Sequence, residues 1–432
     1  ELSRSSCSAS RADDFRGWSA AYVDNGLITV VAVPDVGGRI MAYDLGPYPF
    51  IYVDPNLAGK LFTPEENLGD ATLASWKNYG GDKTWPAPQG WETEEQWHGP
   101  PDPVLDTGRY TLDSLESDGD TATLAMTSPR DDRTGIQIMR RATIRRGSSR
   151  VTLELTFRNI ARHPVRWSIW DVMQLRAERR LPDGSLAHEP ECVITTPVNP
   201  NSRFPRQFNV MFGADDNPQW RVDDERGLFV ARYMWEIGKV GIDSPEGWIA
   251  FLNGASGYAF AERFDVAADG TYPDEGATVE CWTIGRGQVD NLNYEGSDIH
   301  LMETEVLSPF YDIEPGEERS FTITWGSCRC PGDLIVDVSE AGCVGERLNA
   351  EKTDDYVRLT GQFGTFDVGS LVLAWTGENG RDLETVPLGP TTPLAGMTLD
   401  RVEEPPGGAL TAELRVVADV SGETHSLAEV EL

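Results

Sequence analysis

The chain has 432 residues, 39% hydrophobic and 25% charged, with 43 Gly and 28 Pro, a balance that suits many strands joined by turns rather than a helical bundle. A formal net charge of −33 sets it against nucleic acid and anionic lipid, and no stretch approaches the roughly 20 apolar residues of a membrane helix, so neither a nucleic-acid partner nor a membrane span is expected. This length exceeds what one core usually holds and predicts two domains.

The sequence opens at Glu1 without Met, and Ser5-Ser6-Cys7-Ser8 resembles the region after a removed leader, which points to a secreted, periplasmic or cell-surface protein. The first strands follow at Gly26 to Val33, closed by Pro34, and at Arg39 to Tyr43 after the turn Gly37-Gly38. From residue 55 to 105 the alternation lapses into a segment rich in Pro, Gly and Trp, holding Trp76, Trp85, Trp91 and Trp97. Irregular segments of that length in a compact domain usually carry function.

Short alternating runs resume at Thr121–Met126, Ile136–Met139, Ala142–Arg145 and Val151–Phe157, the pattern of antiparallel sheets with one buried face. More strands are predicted at Trp167–Trp170, Leu228–Ala231, Trp248–Leu252, Leu301–Leu307 and Ser320–Trp325. A Cys- and Pro-containing stretch from Gly326 to Gly332 reads as a junction, which divides the chain into domains 1–327 and 328–432. About 100 residues of short strands after it suit an immunoglobulin-like sandwich with an accessory role.

Six Cys are compatible with up to three disulfides or with free thiols; Cys328-Arg329-Cys330 lacks zinc-ligand spacing and has no neighbouring His. No metal site or cofactor is expected. Calcium on Asp131-Asp132 or Asp223-Asp224 has no ligand-loop motif behind it.

Three stretches together carry a family resemblance. They are Asn25-Gly26-Leu27 through Gly37-Gly38-Arg39-Ile40; Asn78-Tyr79-Gly80-Gly81-Asp82-Lys83-Thr84-Trp85-Pro86-Ala87-Pro88-Gln89; and Glu303 to Pro309 with Ile313-Glu314-Pro315-Gly316-Glu317. Over roughly residues 15–327 the chain resembles the aldose-1-epimerase-like, galactose-mutarotase-like superfamily, in the branch called DUF4380. The resemblance implies an all-β fold: a β-supersandwich whose concave face holds a sugar, followed here by the smaller sandwich. Mutarotases use His residues and a late Glu. This sequence has Ile169-Trp170-Asp171-Val172-Met173-Gln174 and Asp82-Lys83 where such His would be sought.

The candidate catalytic residues are Lys83, Glu305, Glu280 and His98, and the candidate substrate-binding residues are Asn78, Tyr79, Asp82, Trp85, Gln89, Asp171, Gln174, Lys239, Arg263 and Tyr272. Aromatic faces stack on pyranose rings, while carboxylate, amide and amine groups bond hydroxyls. Glu303 and Glu305 share a strand face, and Glu305 is the preferred base, with Glu303 as its structural neighbour. Trp170 and Asp171 alternate, so one regular strand cannot present both to a sugar. His98 is the best placed of five His, with a loop-bracing hydrogen bond as its alternative role. The expected partner is a saccharide, and the expected chemistry is that of a polysaccharide lyase or glycoside hydrolase, ahead of an aldose 1-epimerase. A non-catalytic carbohydrate-binding protein is the competing expectation, and the oligomeric state is left open.

Overall fold

The computed structural model describes residues 5–353 and 355–432, so residues 1–4 at the head of the first expected domain lie outside the described residues. Two large antiparallel sheets form the first sandwich. In spatial order, the first sheet runs Ser8–Phe15, Trp18–Asp24, Ile28–Val33, Arg39–Leu45, Asp82–Ala87, Val165–Arg176, Leu301–Leu307, Val279–Thr283, Gly238–Ile242 and Asn209–Gly213, with Tyr48–Pro49 and Tyr311–Ile313 at its margins. The second runs Trp220–Asp223, Leu228–Arg232, Cys192–Pro197, Trp248–Asn253, Tyr258–Phe264, Glu318–Arg329, Val151–Asn159, Ile136–Arg145, Thr121–Thr127 and Thr111–Ser117.

Alternation sets which side chains enter the core. Val151, Leu153, Leu155 and Phe157 face inward from one strand and Ile136, Ile138, Ala142 and Ile144 from its neighbour, each fully buried and each of the larger ones stabilising by about 1.5–3 kcal/mol. The strands Val165–Arg176 and Leu301–Leu307 differ: nearly every residue is buried, on both faces. Their second face is covered by the irregular segments between residues 50 and 110, which is why charged side chains there are shielded from water.

The smaller sandwich has two four-stranded sheets. One holds Asp337–Val338, Gly342–Lys352, Val357–Thr365 and Met397–Glu403; the other holds Asp382–Thr391, Gly369–Thr376, Thr411–Ala418 and Thr424–Glu431. It packs on the outer face of the second sheet, where Val193, Val230, Trp248 and Ala261 join Ile335, Phe363 and Phe366 in one apolar cluster. Thr195 donates to the Ile335 carbonyl at 2.7 Å, and Arg150 grips Asp367 at 2.8 and 3.0 Å. The strand Glu318–Arg329 runs past the expected boundary at residue 327. All six Cys are unbonded and buried. Cys7, Cys192 and Cys281 stand on separate elements, so the structure forms none of the disulfides that an even count allows.

The segment from 55 to 105, read as a loop, holds more order than its composition suggests. Pro64–Leu68 is a short helix that Thr63 and Glu66 cap reciprocally, and Leu73–Ser75 is a single 3-10 turn. Asp82–Ala87 is a strand in the middle of the first sheet. A Pro inside a central strand is unusual, because it lacks an amide donor for the ladder. It is tolerated because the strand Arg39–Leu45 pairs only at Ile40 with Asp82, leaving no ladder on that side of Pro86.

Candidate functional site

The chain enters the Asp82–Ala87 strand through Gly80 and Gly81, at φ of 87° and 82°, a region L side chains rarely adopt. A Cβ on Gly80 would stand 2.2 Å from the Tyr52 carbonyl oxygen, and one on Gly81 2.6 Å from the Met41 sulfur. This tight entry fixes the strand's phase, so Lys83 and Trp85 face outward and Asp82 and Thr84 face the core.

Register then assembles the outer face. Lys83 pairs with Val172, Val172 with Glu305, and Glu305 with Glu280, forming one row across four strands. A parallel row runs Gln174, Glu303, Trp282, Lys239 and Phe212, and a third holds Trp85 and Trp170. Lys83 and Glu305 therefore stand two strand spacings apart, about 10 Å between backbones, on either side of Val172. From these rows Glu303, Glu305, Lys239 and Phe212 reach a pocket walled by Trp76, Trp85, Trp170 and Trp282, whereas Lys83, Gln174 and Glu280 lie beside it without lining it. Leu73 and Trp76 close it from one side and Val289 and Leu292 from the other, tied by the Ala74 amide donating to Asn291 at 3.1 Å.

Two ion clusters reach this pocket, one through Lys239 and Glu305 and the other through Glu303. Lys239 Nζ lies 2.6 Å from Glu280 and 2.8 Å from Glu305, and 4.3 Å above the Trp170 ring, while Trp170 Nε1 donates to Glu305 Oε2 at 2.8 Å. Lys83 Nζ lies 3.5 Å from Glu303, which also accepts from Gln174, and 5.2 Å from the Trp85 ring. Burial pushes the Glu305 carboxyl up to about 7; Lys239 opposes that and Glu280 adds to it. Glu280 is likewise raised to about 7, by burial first, against Lys239 and with Asp274. Burial also raises Glu303 and lowers Lys83, each opposing the other's shift. At Lys239, burial works against the ammonium, but Glu280 and Glu305 overcome it and hold the proton. Burial thus makes Glu305 a stronger base and Lys83 a stronger acid than either is in water. Among the described residues, Glu305 Oε1, Gln174 Oε1 and Trp85 Nε1 have no hydrogen-bond partner.

The structure brings Lys83, Trp85, Gln89, Gln174, Lys239, Glu280 and Glu305 together, and Glu303 joins them as a full member. It separates the others. Asp82 and Asp171 point into the core, one residue out of phase with the pocket, and share the buried Arg140: its guanidinium bonds Asp82 and lies 3.7 Å from Asp171, which accepts from Thr84 at 2.8 Å. Asn78 accepts from the Gly80 amide at 3.2 Å and shapes the turn. Tyr79 is buried against Trp18 and Phe62. Arg263 belongs to the second sheet and reaches Glu340 of the smaller sandwich at 3.8 Å. Tyr272 accepts from the Ala267 amide at 2.9 Å, outside the pocket. His98 is exposed, within 2.9 Å of the Thr93 carbonyl, on a separate surface cleft with His163 and Arg166. Asp131 is used by Thr134 and Asp223 by Arg226, so both serve local turns. Among the described residues no group of three or more His, Cys, Asp or Glu is placed to hold a metal ion.

Trp282, Phe212, Asp274 and the two closing segments were not among the candidates. Trp282 was findable, since it stands two residues from Glu280 and shares its face. Phe212 and Asp274 carry no local signal.

The family described as a domain of unknown function (DUF4380) matches residues 20–327, and the chain belongs to it. No curated protein matches the chain. Among solved structures, it is similar to the Slr1438 protein of Synechocystis sp. PCC 6803, with 11% identity over 74% of this chain and 96% of that one and a TM-score of 0.44. It is also similar to a galactose mutarotase-like protein of Clostridium acetobutylicum (9% identity, 75% and 99% covered, TM-score 0.45) and to one of Lactobacillus casei (10% identity, 71% and 99% covered, TM-score 0.41).

Proposed function

We propose that this member of the DUF4380 family holds a single sugar ring in the Trp-walled pocket and moves protons on it, with Glu305 as base and Lys83 as acid. The observation that carries this is the pair itself: two buried groups on either side of Val172, each pushed toward its neutral form, beneath aromatic walls. Indole faces supply stacking surface for a pyranose, and Glu305 Oε1 is an acceptor left for its hydroxyls. Closure by Leu73, Val289 and Leu292 favours one ring over an internal stretch of polymer.

Aldose ring opening uses such a pair directly. Glu305 takes the proton of the anomeric hydroxyl, Lys83 protonates the ring oxygen, and the bond between that oxygen and C1 breaks to leave an open-chain aldehyde. Reclosure on either face returns both protons and interconverts the anomers. β-Elimination from a uronate is less favoured, because Glu280, Glu303 and Glu305 outnumber Lys83 and Lys239 around any incoming carboxylate. Glycoside hydrolysis is also less favoured: it needs carboxylates flanking the bond, and Glu280 and Glu305 both clamp one Lys239 from neighbouring strands.

Polarimetry on freshly dissolved aldose anomers tests the proposal, with reducing-end release and absorbance of unsaturated products as the competing assays. Accelerated anomer interconversion is expected, falling about 10²-fold or more in Glu305→Gln. Affinity read by tryptophan fluorescence should fall far less than turnover in that variant. Sugar binding without turnover in any assay would overturn the acid–base role and leave a carbohydrate-binding protein.

A further inference from the structure

The polar atoms that the pocket leaves without a protein partner are unequal in kind. Glu305 Oε1 is an acceptor on a fully buried side chain that lines the pocket, Gln174 Oε1 is a further buried acceptor beside it, and Trp85 Nε1 is the single donor, on a side chain 3% exposed that lines the pocket. The pocket continues outward past Gln89, Trp170, Phe212 and Lys239 into a groove bordered by Glu92, Asn209, Asp274 and Glu275. Lys239 is the only cation lining that groove among the described residues, and it is already held by Glu280 and Glu305. Arg203 donates to the Glu275 carbonyl at 2.9 Å and does not line the groove. Lys83 is likewise committed to Glu303.

We propose that the saccharide taken by this pocket carries a free amino group. The inference rests on the pocket being a sugar site. A hydroxyl offers one donor and no charge, whereas an ammonium offers three donors and the positive charge that the surplus carboxylates lack. An acetamido group would discard that charge, and a uronate would add to the surplus. The pocket's position suits such a ligand twice over, since Glu303 and Glu305 line it and Glu92, Asp274 and Glu275 border the mouth.

Titration of intrinsic tryptophan fluorescence at pH 7 with D-glucosamine, D-glucose, N-acetyl-D-glucosamine and D-glucuronate, and with the corresponding galactose series, decides it. The amino sugar of one series should bind about 10-fold tighter than its neutral and acetylated counterparts, as one charge-assisted contact in a shielded site supplies. Asp274→Asn should weaken binding of the amino sugar more than that of the neutral sugar and so narrow that ratio. Neutral or acetylated sugars binding as tightly as the amines would overturn the inference while the sugar site stands. Tightest binding of the uronate would do the same. No response to any sugar would overturn the sugar site itself, and the amine preference with it.

Discussion

Two charged clusters lie back to back on the same strands, and one residue of phase separates them. On the outer face, Glu303, Glu305 and Lys239 line an aromatic pocket, with Lys83 and Glu280 paired to them from behind. On the core face, Asp82 and Asp171 close around Arg140, which also donates to the Gly38 carbonyl at 2.7 Å, and Glu262 is buried nearby. The chemistry of the side chains is similar. What differs is surroundings: the core cluster is sealed between two sheets and can only brace them, whereas the outer one borders the Trp-walled pocket. In a sheet, the same residue types one position apart divide into structure and site.

The largest effect on the core side should come from Arg140→Met. Removing one partner of a buried ion cluster leaves the carboxylates uncompensated and costs about 3–5 kcal/mol, read by denaturant unfolding. A loss below about 1 kcal/mol would break the contrast between the faces. Lys83→Met removes an equally buried charge from the outer face and leaves Glu303 uncompensated, so it should cost stability too, but there turnover should also suffer.

Glu262→Gln sharpens the same contrast with a smaller effect. Burial holds the Glu262 carboxyl well above its ordinary range, with Asp171 adding to the rise. The folded state therefore binds this proton more tightly than the unfolded chain, so the stability it contributes is full below the ordinary Glu range and is lost as pH rises toward the folded value. The Gln variant should gain about 1–3 kcal/mol over the parent at pH 8 and almost nothing at pH 4. Smallest of all, His98→Ala and Arg263→Ala should leave turnover within about twofold, because neither lines the pocket. A large loss in either would move the site.

The fold was more legible than the site. Alternation in Val151–Phe157 and in Leu301–Leu307 displays the strands and puts Glu303 and Glu305 on one face, because period two is local information. The Asp82–Ala87 strand was hidden by Pro86 and by the Trp and Gly around it, whose composition reads as loop. Asp82 and Lys83, adjacent in sequence, were both taken as site residues, and only the phase set at Gly80-Gly81 divides them. Arg263 and Lys239 look alike in sequence, yet pairing puts one on each sheet. Pairing order is long-range, and a single sequence does not carry it. Phe212 and Asp274 reach the pocket through that order alone.

The most direct test is the pH dependence of anomer interconversion followed by polarimetry in the parent protein and in Glu305→Gln. Because Glu305 must be ionised to act as base, the parent rate should climb with pH through about 7, where the Glu305–Glu280 pair titrates. The variant should show a low rate without that rise. A parent profile flat across this range, or a variant that climbs in step with the parent, would contradict Glu305 as the base of this site.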